Sequence, residues 1–237
     1  MFKIISKIIN HPFRILLKLK FLKKKNLKSR FSIIYNNNYW DNKESISGPG
    51  STIKNTKNLR KRLNQIIKKY NIKTIFDAPC GDCNWIKFVI SKNNVKYLGA
   101  DIVEECIKQN KLNFNNIKYK FKQLDITKDI LPRADLFICR DFMFHLSYED
   151  NFRFLKNIQK IDSRYILISS HSLSKESYIY NKDIESGDFR KINLFTKPFN
   201  FKKKYEMVIK DDCDGVEKYL ILFKKEEFKK FSNYMKI

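Results

Sequence analysis

Six glycines in 237 residues leave little room for a glycine-rich loop, and nowhere do they form the G-x-G-x-x-G cradle that a pyrophosphate wants at a helix start. Five cysteines, Cys80, Cys83, Cys106, Cys139 and Cys213, make an odd count with no secretory pattern. That argues against a disulfide framework and for reduced thiols in a cytoplasmic compartment. Cys80-x-x-Cys83 has no second matching pair and falls inside a tight turn, so it reads as packing, and no metal site is expected. No stretch approaches the ~18 uninterrupted apolar residues of a membrane-spanning helix. Only three histidines, His11, His145 and His171, are available for acid–base work near neutral pH. Acids number 25 against 49 lysines and arginines, and neither an internal repeat nor a low-complexity linker divides the chain.

What is present suits one α/β domain: the length is sufficient, and 43% hydrophobic residues with 14% aromatics supply a core. The net charge of +24 has two readings. One is an anionic partner such as nucleic acid, an anionic membrane or a phosphorylated substrate. The other is drift of composition toward Lys, Asn and Ile, favoured because the lysines spread over helices and loops instead of forming one block. Residues 1–38 read as a basic amphipathic extension; up to Arg30 it holds no acid, and Pro12 divides it into two short pieces. Such a segment suits peripheral contact with an anionic membrane or a partner protein, or packing on the domain itself. Residues 39–225 form the domain, with an irregular polar insert around 171–204, and residues 226–237 a charged tail.

The organising stretch is Thr74 to Trp85, an apolar strand that ends on Asp77 and turns through Pro79-Cys80-Gly81-Asp82. Strands are predicted over Thr74–Ala78, Lys96–Asp101, Tyr119–Leu124, Ala134–Cys139 and Tyr165–Ser170. Helices are predicted over Lys57–Tyr70, capped by Ser51 or Thr52, then over about 84–92, Val103–Leu112 and Tyr148–Ile161. Two last strands near Tyr205–Ile209 and Lys218–Lys224 complete a doubly wound, mostly parallel seven-stranded sheet with an antiparallel edge. Ligands of such sheets bind beyond the carboxyl ends of the strands. There the sequence places Asp77, Gly81 and Asp82, then Asp101, then Asp125, then Arg140, Asp141 and His145. Asp101 is spaced to accept hydrogen bonds from ribose hydroxyls. Asp77 and Asp82 repel phosphate and attract a cation, which points to a nucleoside carrying positive charge, such as a sulfonium with an α-amino group.

These residues resemble the class I S-adenosylmethionine-dependent methyltransferases over about Tyr39 to Lys224. Their first motif corresponds to Phe76-Asp77-Ala78-Pro79-Cys80-Gly81-Asp82-Cys83, with only the middle glycine kept. Together with Glu44–Ser51, Gly99–Val103 and Cys139–Asp141 through His145-Leu146, it is similar to a subgroup linked with glycan or small-molecule biosynthesis. The resemblance implies S-adenosylmethionine as cofactor, with Asp101 at the ribose, Asp125 and Ile126 near the adenine, and Ile102 also in the cofactor-binding set. It also implies Asp77 and Gly81 near the methionine part and the loop of Ser47, Gly48, Gly50 and Ser51 folded over the cofactor. Asp82, Trp85 and Arg140 complete the expected cofactor-binding set.

The expected reaction is O-methylation of a sugar or glycan hydroxyl, helped by a general base, because a hydroxyl is a poor nucleophile. His145 and Asp141 are the leading catalytic candidates and His171 a third. Asn181, Arg190 and Asn193 in the insert are expected to read the acceptor. Methylation of RNA or DNA is the first rival, motivated by charge, although no Asn-Pro-Pro-aromatic run follows strand four. A non-catalytic binding protein on the same fold is the second.

Overall fold

The computed structural model describes residue 12, residues 14–176 and residues 178–229. The first amphipathic piece with His11, and the tail beyond residue 229, lie outside the described residues. Strands are Thr74–Asp77 (β1), Lys96–Asp101 (β2), Tyr119–Gln123 (β3), Ala134–Cys139 (β4), Ser163–Ser170 (β5), Met207–Lys210 (β6) and Tyr219–Lys224 (β7). Helices are residues 14–22 (α1), Leu27–Asn36 (α2), Lys57–Lys69 (α3), Lys87–Ile90 (α4), Glu104–Asn113 (α5), Tyr148–Ile158 (α6) and Lys225–Lys229 (α7). The sheet order is β3-β2-β1-β4-β5-β7-β6, with the first five parallel. β7 runs against β5, and β6 runs against β7, so the two strands of the last hairpin close that edge.

Alternation along each strand sends successive side chains to opposite faces. On one face Ile75, Leu136, Ile138 and Leu167 pack against Leu59, Leu63, Ile66 and Ile67 of α3. On the other, Phe76, Phe137, Ile166 and Ile168 meet Phe154, Leu155 and Ile158 of α6. Each such side chain contributes about 1.5–3 kcal/mol on burial, which is enough to hold α3 down although its other positions are lysine, arginine and amides. The N-cap of α3 is Thr56, not Ser51 or Thr52. Pro49–Ser51 first makes a 3-10 turn, and the hydroxyls of Thr52 and Thr56 are spent on the carbonyls of Pro49 and Thr52. The helix predicted over 84–92 shrinks to α4, because the residues before it serve the turn after β1. The helix α6 stops at Ile158, where the Lys225 ammonium takes the Ile158 and Gln159 carbonyls at 3.2 and 2.5 Å.

The boundary drawn at residue 38 does not fall where the packing changes. Leu17, Phe21, Leu27 and Ile34 are all buried on the domain, and Leu27 belongs to the same cluster as Phe76 and Phe137. Asn26 caps α2 by accepting a hydrogen bond from the Ser29 N–H at 2.8 Å. Leu27, Phe31 and Ile34 recur at i, i+4 and i+7, one stripe of a helix.

Candidate active site

The strand order reverses between β1 and β4, and the crevice lies beyond their carboxyl ends. The turn after β1 is pinned from three sides. The Cys80 N–H donates to the Ala100 carbonyl at 2.8 Å, and the Gly81 N–H to Asp101 Oδ2 at 3.2 Å. The Gly81 carbonyl accepts from Asn110 Nδ2 at 2.7 Å and from Cys106 Sγ at 3.0 Å. Gly81 has φ +53, and a Cβ there would lie 2.1 Å from Ser47 Oγ, so only glycine lets the two loops close on each other. Cys80 and Cys83 are free and buried, Cys83 against the Tyr97 hydroxyl at 3.4 Å.

Three compartments run along the strand ends. An apolar slot of about 20 Å³ is lined by Leu27 and Phe31 of α2, by Ile102, Ile126 and Phe142, and by Asp101 and Asp125. A middle compartment of about 80 Å³ shares Pro79 and Asp101 with it and adds Asp77, Gly81, Trp85, Ser47, Ser51 and Arg140. An aromatic cavity of about 220 Å³ shares Trp40, Ser47 and Asp141 with the middle one and is walled by Phe144, Phe189, His145, His171 and Lys218, with Gly48 and Gly50 at its edge.

The acids along this path differ. Asp77 is buried at the wall of the middle compartment and accepts from the Tyr97 hydroxyl at 2.8 Å; burial pushes its carboxyl up to about 7, against the lowering pull of that hydroxyl and of Arg140. Asp101 accepts the N–H groups of Gly81 and Val103, and burial pushes it up to about 6. Among the described residues neither makes an ion pair. Asp82, expected at the cofactor, does not line the compartment. Its oxygens accept Ser45 Oγ, the Ile46 N–H and Ser47 Oγ at 3.0, 3.0 and 3.1 Å, so it folds the loop instead. Asp125 spends one oxygen on the Thr127 N–H and hydroxyl.

Beyond β4 stands a buried network. Arg140 grips Asp211 through Nε at 2.9 Å and Nη2 at 3.2 Å, and meets Asp141 at 3.1 Å. Lys218 bridges Asp141 at 2.6 Å and Asp211 at 3.1 Å. The same guanidinium donates to the Gly50 carbonyl at 2.8 Å and lies 5.5 Å from the centre of the Trp85 ring, clamping the loop over the crevice. Burial pushes the Asp141 carboxyl up, but Arg140 and Lys218 outweigh it and hold the group far below the usual range. Asp141 is therefore no general base: a carboxylate held by two cations takes up a proton only in strong acid.

His145 is placed differently. Its Nδ1 lies 2.8 Å from the Asp188 carbonyl, which only accepts, so Nδ1 carries the hydrogen and Nε2 keeps its lone pair. Burial lowers its pKa, leaving a neutral imidazole at the cavity wall. His171 has the opposite polarity. Its Nδ1 accepts the Ile192 N–H at 3.2 Å, so Nε2 carries the hydrogen, and burial pushes its pKa down to about 4. The ring is a donor to the cavity, which removes it as a base.

The insert residues expected to read the acceptor do not reach the cavity. Asn181 donates to the Asn193 and Lys197 carbonyls, each at 2.8 Å, and Asn193 donates to the Ser174 carbonyl at 2.8 Å. Arg190 is buried, bonded to the Leu146 and Met143 carbonyls and stacked over Tyr148. Polar loop side chains buried this way are consumed by the backbone that no strand pairs. The insert acts through its main chain: the Gly187 and Arg190 N–H groups donate to the His145 and Phe144 carbonyls at 2.7 and 3.1 Å, holding the His145 turn. Trp40, Phe144, Phe189, Lys218, Leu27 and Phe31 were not singled out by the sequence. For Leu27 and Phe31 the helical stripe was the available signal.

No family model matches the sequence, and no curated protein matches it. Solved structures do. The methyltransferase domain of bacterial CtHen1 is 13% identical over 72% of this chain and 99% of that one, with a TM-score of 0.51. Magnesium protoporphyrin IX methyltransferase (ChlM) from Synechocystis PCC 6803, with bound SAH, is 8% identical over 93% of this chain and 98% of that one, at 0.52. The N-terminal domain of EvdMO1, determined in the presence of SAH and D-fucose, is 14% identical over 71% and 83%, at 0.51. The chain has the class I methyltransferase fold. In that fold the turn after β1, Asp101 at the end of β2 and the turn after β4 surround the crevice described above.

Proposed function

We propose that this protein is an S-adenosylmethionine-dependent methyltransferase that methylates a hydroxyl of a sugar, glycan or similar small polyhydroxyl acceptor. The observation that carries the reading is the line of three compartments, in which two buried acids that make no direct ion pair lie in the compartment next to a neutral imidazole. Asp101 would hold the ribose hydroxyls. Asp77 offers a carboxylate to a cationic α-amino group, and Ile102, Ile126 and Phe142 offer apolar faces to the base. The slot has room for about one water as it stands. A purine is larger than this slot, so its entry requires the lining side chains, the partly buried Phe31 of α2 among them, to give way.

S-adenosylmethionine would supply an electrophilic sulfonium-bound methyl group that passes in line to the acceptor oxygen as the carbon–sulfur bond breaks and S-adenosylhomocysteine leaves. His145 Nε2 is the group that removes the hydroxyl proton, with Nδ1–H braced on the Asp188 carbonyl. The His171 Nε2–H donates to a neighbouring acceptor oxygen, and Trp40 and Phe189 flank the ring of the acceptor. The charges of Arg140, Lys218, Asp141 and Asp211 answer one another, so no unpaired cation of that network is offered to a phosphate. That favours a neutral acceptor over a nucleic acid. EvdMO1 supports the sugar class by its crystallisation with D-fucose present.

Incubation with S-adenosylmethionine bearing a deuterated methyl and a panel of nucleotide sugars, glycans and RNA, followed by mass spectrometry, tests this. The label is expected on a sugar hydroxyl; labelled RNA alone overturns the acceptor class. His145→Ala is expected to lower turnover by about 10²–10⁴ with cofactor affinity unchanged, the usual contribution of a positioned base. Turnover equal to wild type removes His145 from that role.

A further inference from the structure

The helix α1 carries two apolar faces, of which the described residues cover one. Leu17 and Phe21 are 6% and 0% exposed, and the Phe21 ring meets Tyr39 edge-on at 5.2 Å. Ile15, Leu16 and Leu19 are 47%, 65% and 52% exposed. At about 100° per residue, the pair and the triplet point to nearly opposite sides of the helix. Lysines frame the outward face. Lys20 is exposed beside it, and Lys23, Lys24 and Lys25 follow in an exposed turn. Arg30 holds that turn by donating from Nε to the Lys24 carbonyl at 2.6 Å and from Nη2 to the Leu22 carbonyl at 3.3 Å. No acid occurs before Asp41, so the segment holds no charge of opposite sign to answer these lysines.

Exposed Ile15, Leu16 and Leu19 beside Lys20 and Lys23–Lys25, which make no ion pair among the described residues, are complementary to a bilayer with anionic headgroups, where acyl chains take the apolar stripe and phosphates the ammoniums. We infer that the outward face of α1, with the Lys23–Lys25 turn, docks this protein on an anionic membrane surface. The helix is tied to the aromatic cavity as well. Lys18 reaches the Asp188 carboxylate at 2.6 Å, and the Asp188 carbonyl braces His145. Tyr39, which Phe21 touches, precedes Trp40 of the cavity wall. The binding test does not depend on the acceptor reading above.

The test is co-sedimentation of the full chain with vesicles of equal parts phosphatidylglycerol and phosphatidylcholine, against pure phosphatidylcholine. Pelleting is expected with the anionic vesicles only. The double variant Leu16→Ser/Leu19→Ser, altered at exposed positions and unchanged in charge, is expected to bind at least about tenfold more weakly, since the acyl contact is lost. Equal binding by the variant overturns the proposal, because it means that a strongly basic protein is merely adsorbing by charge. Failure of the wild type to pellet also overturns it, and assigns the face to residues 1–11 or to a protein partner.

Discussion

Asp77 and Asp101 lie on one side of the crevice and Asp141 and Asp211 on the other, all largely withdrawn from water, and their surroundings have opposite consequences. The first two accept hydrogen bonds from a tyrosine hydroxyl and backbone N–H groups, and burial raises their pKa to about 7 and about 6. The second two are bound to Arg140 and Lys218 in a four-membered network, and Asp141 is held far down. A buried carboxylate without a cation is a costly group that a cationic ligand relieves. One matched by cations is a scaffold that resists protonation. Four successive strand-end acids thus divide by environment: Asp77 and Asp101 are buried with no direct ion pair, Asp141 is held by two cations, and Asp125 turns one oxygen to Thr127 in its own turn.

The largest break in this contrast is expected at Asp211. Replacing it with alanine leaves Arg140 and Lys218 buried with only Asp141 to answer them. The loss is expected to be about 3–5 kcal/mol of stability, read from urea unfolding, as is usual for one partner removed from a buried pair. A loss within the range of surface substitutions would show that water already reaches the network.

Asp77 should respond with the opposite sign. Its folded pKa of about 7 exceeds the 3.8 of an ordinary aspartate, so the native state binds the extra proton between these values. Stability from this group is then fully present below about pH 4 and is lost as pH rises through about 7. Asp77→Asn is therefore expected to stabilise the ligand-free protein at pH 8 by a few kcal/mol, about three pK units at ~1.36 each, and to have no such effect near pH 4. Thermal melts of both proteins across that range check it. Stabilisation that is the same at every pH would mean that the gain comes from packing and not from charge.

Much of this arrangement was legible in the chain. β2 and β4 span the predicted Lys96–Asp101 and Ala134–Cys139, because Tyr97 to Ala100 and Leu136 to Cys139 are short, mostly buried runs that charged residues bound on both sides. Asp101 was legible for the same reason: strand ends locate the crevice. The partners of Asp141 were not. Lys218 is 77 residues away, and nothing local to either residue marks their meeting. Asn181, Arg190 and Asn193 misled because a polar residue in an irregular segment has two uses, binding a ligand or satisfying unpaired backbone, and sequence does not separate them. The closeness of α2 to the slot was hidden by the lysines around Leu27 and Phe31, which mark the segment as a tail although its apolar stripe marks a packed helix.

Asp101 is expected to give the smallest change in energy and the most direct answer. Calorimetric titration of S-adenosylmethionine into the wild type and into Asp101→Ala compares an intact crevice with one lacking its hydroxyl acceptor. The expected result is binding by the wild type and weakening by about 1–3 kcal/mol in the variant, the cost of leaving hydroxyls unpaired. Absence of binding to the wild type, or equal affinity in the two proteins, would contradict the assignment of this crevice to the cofactor.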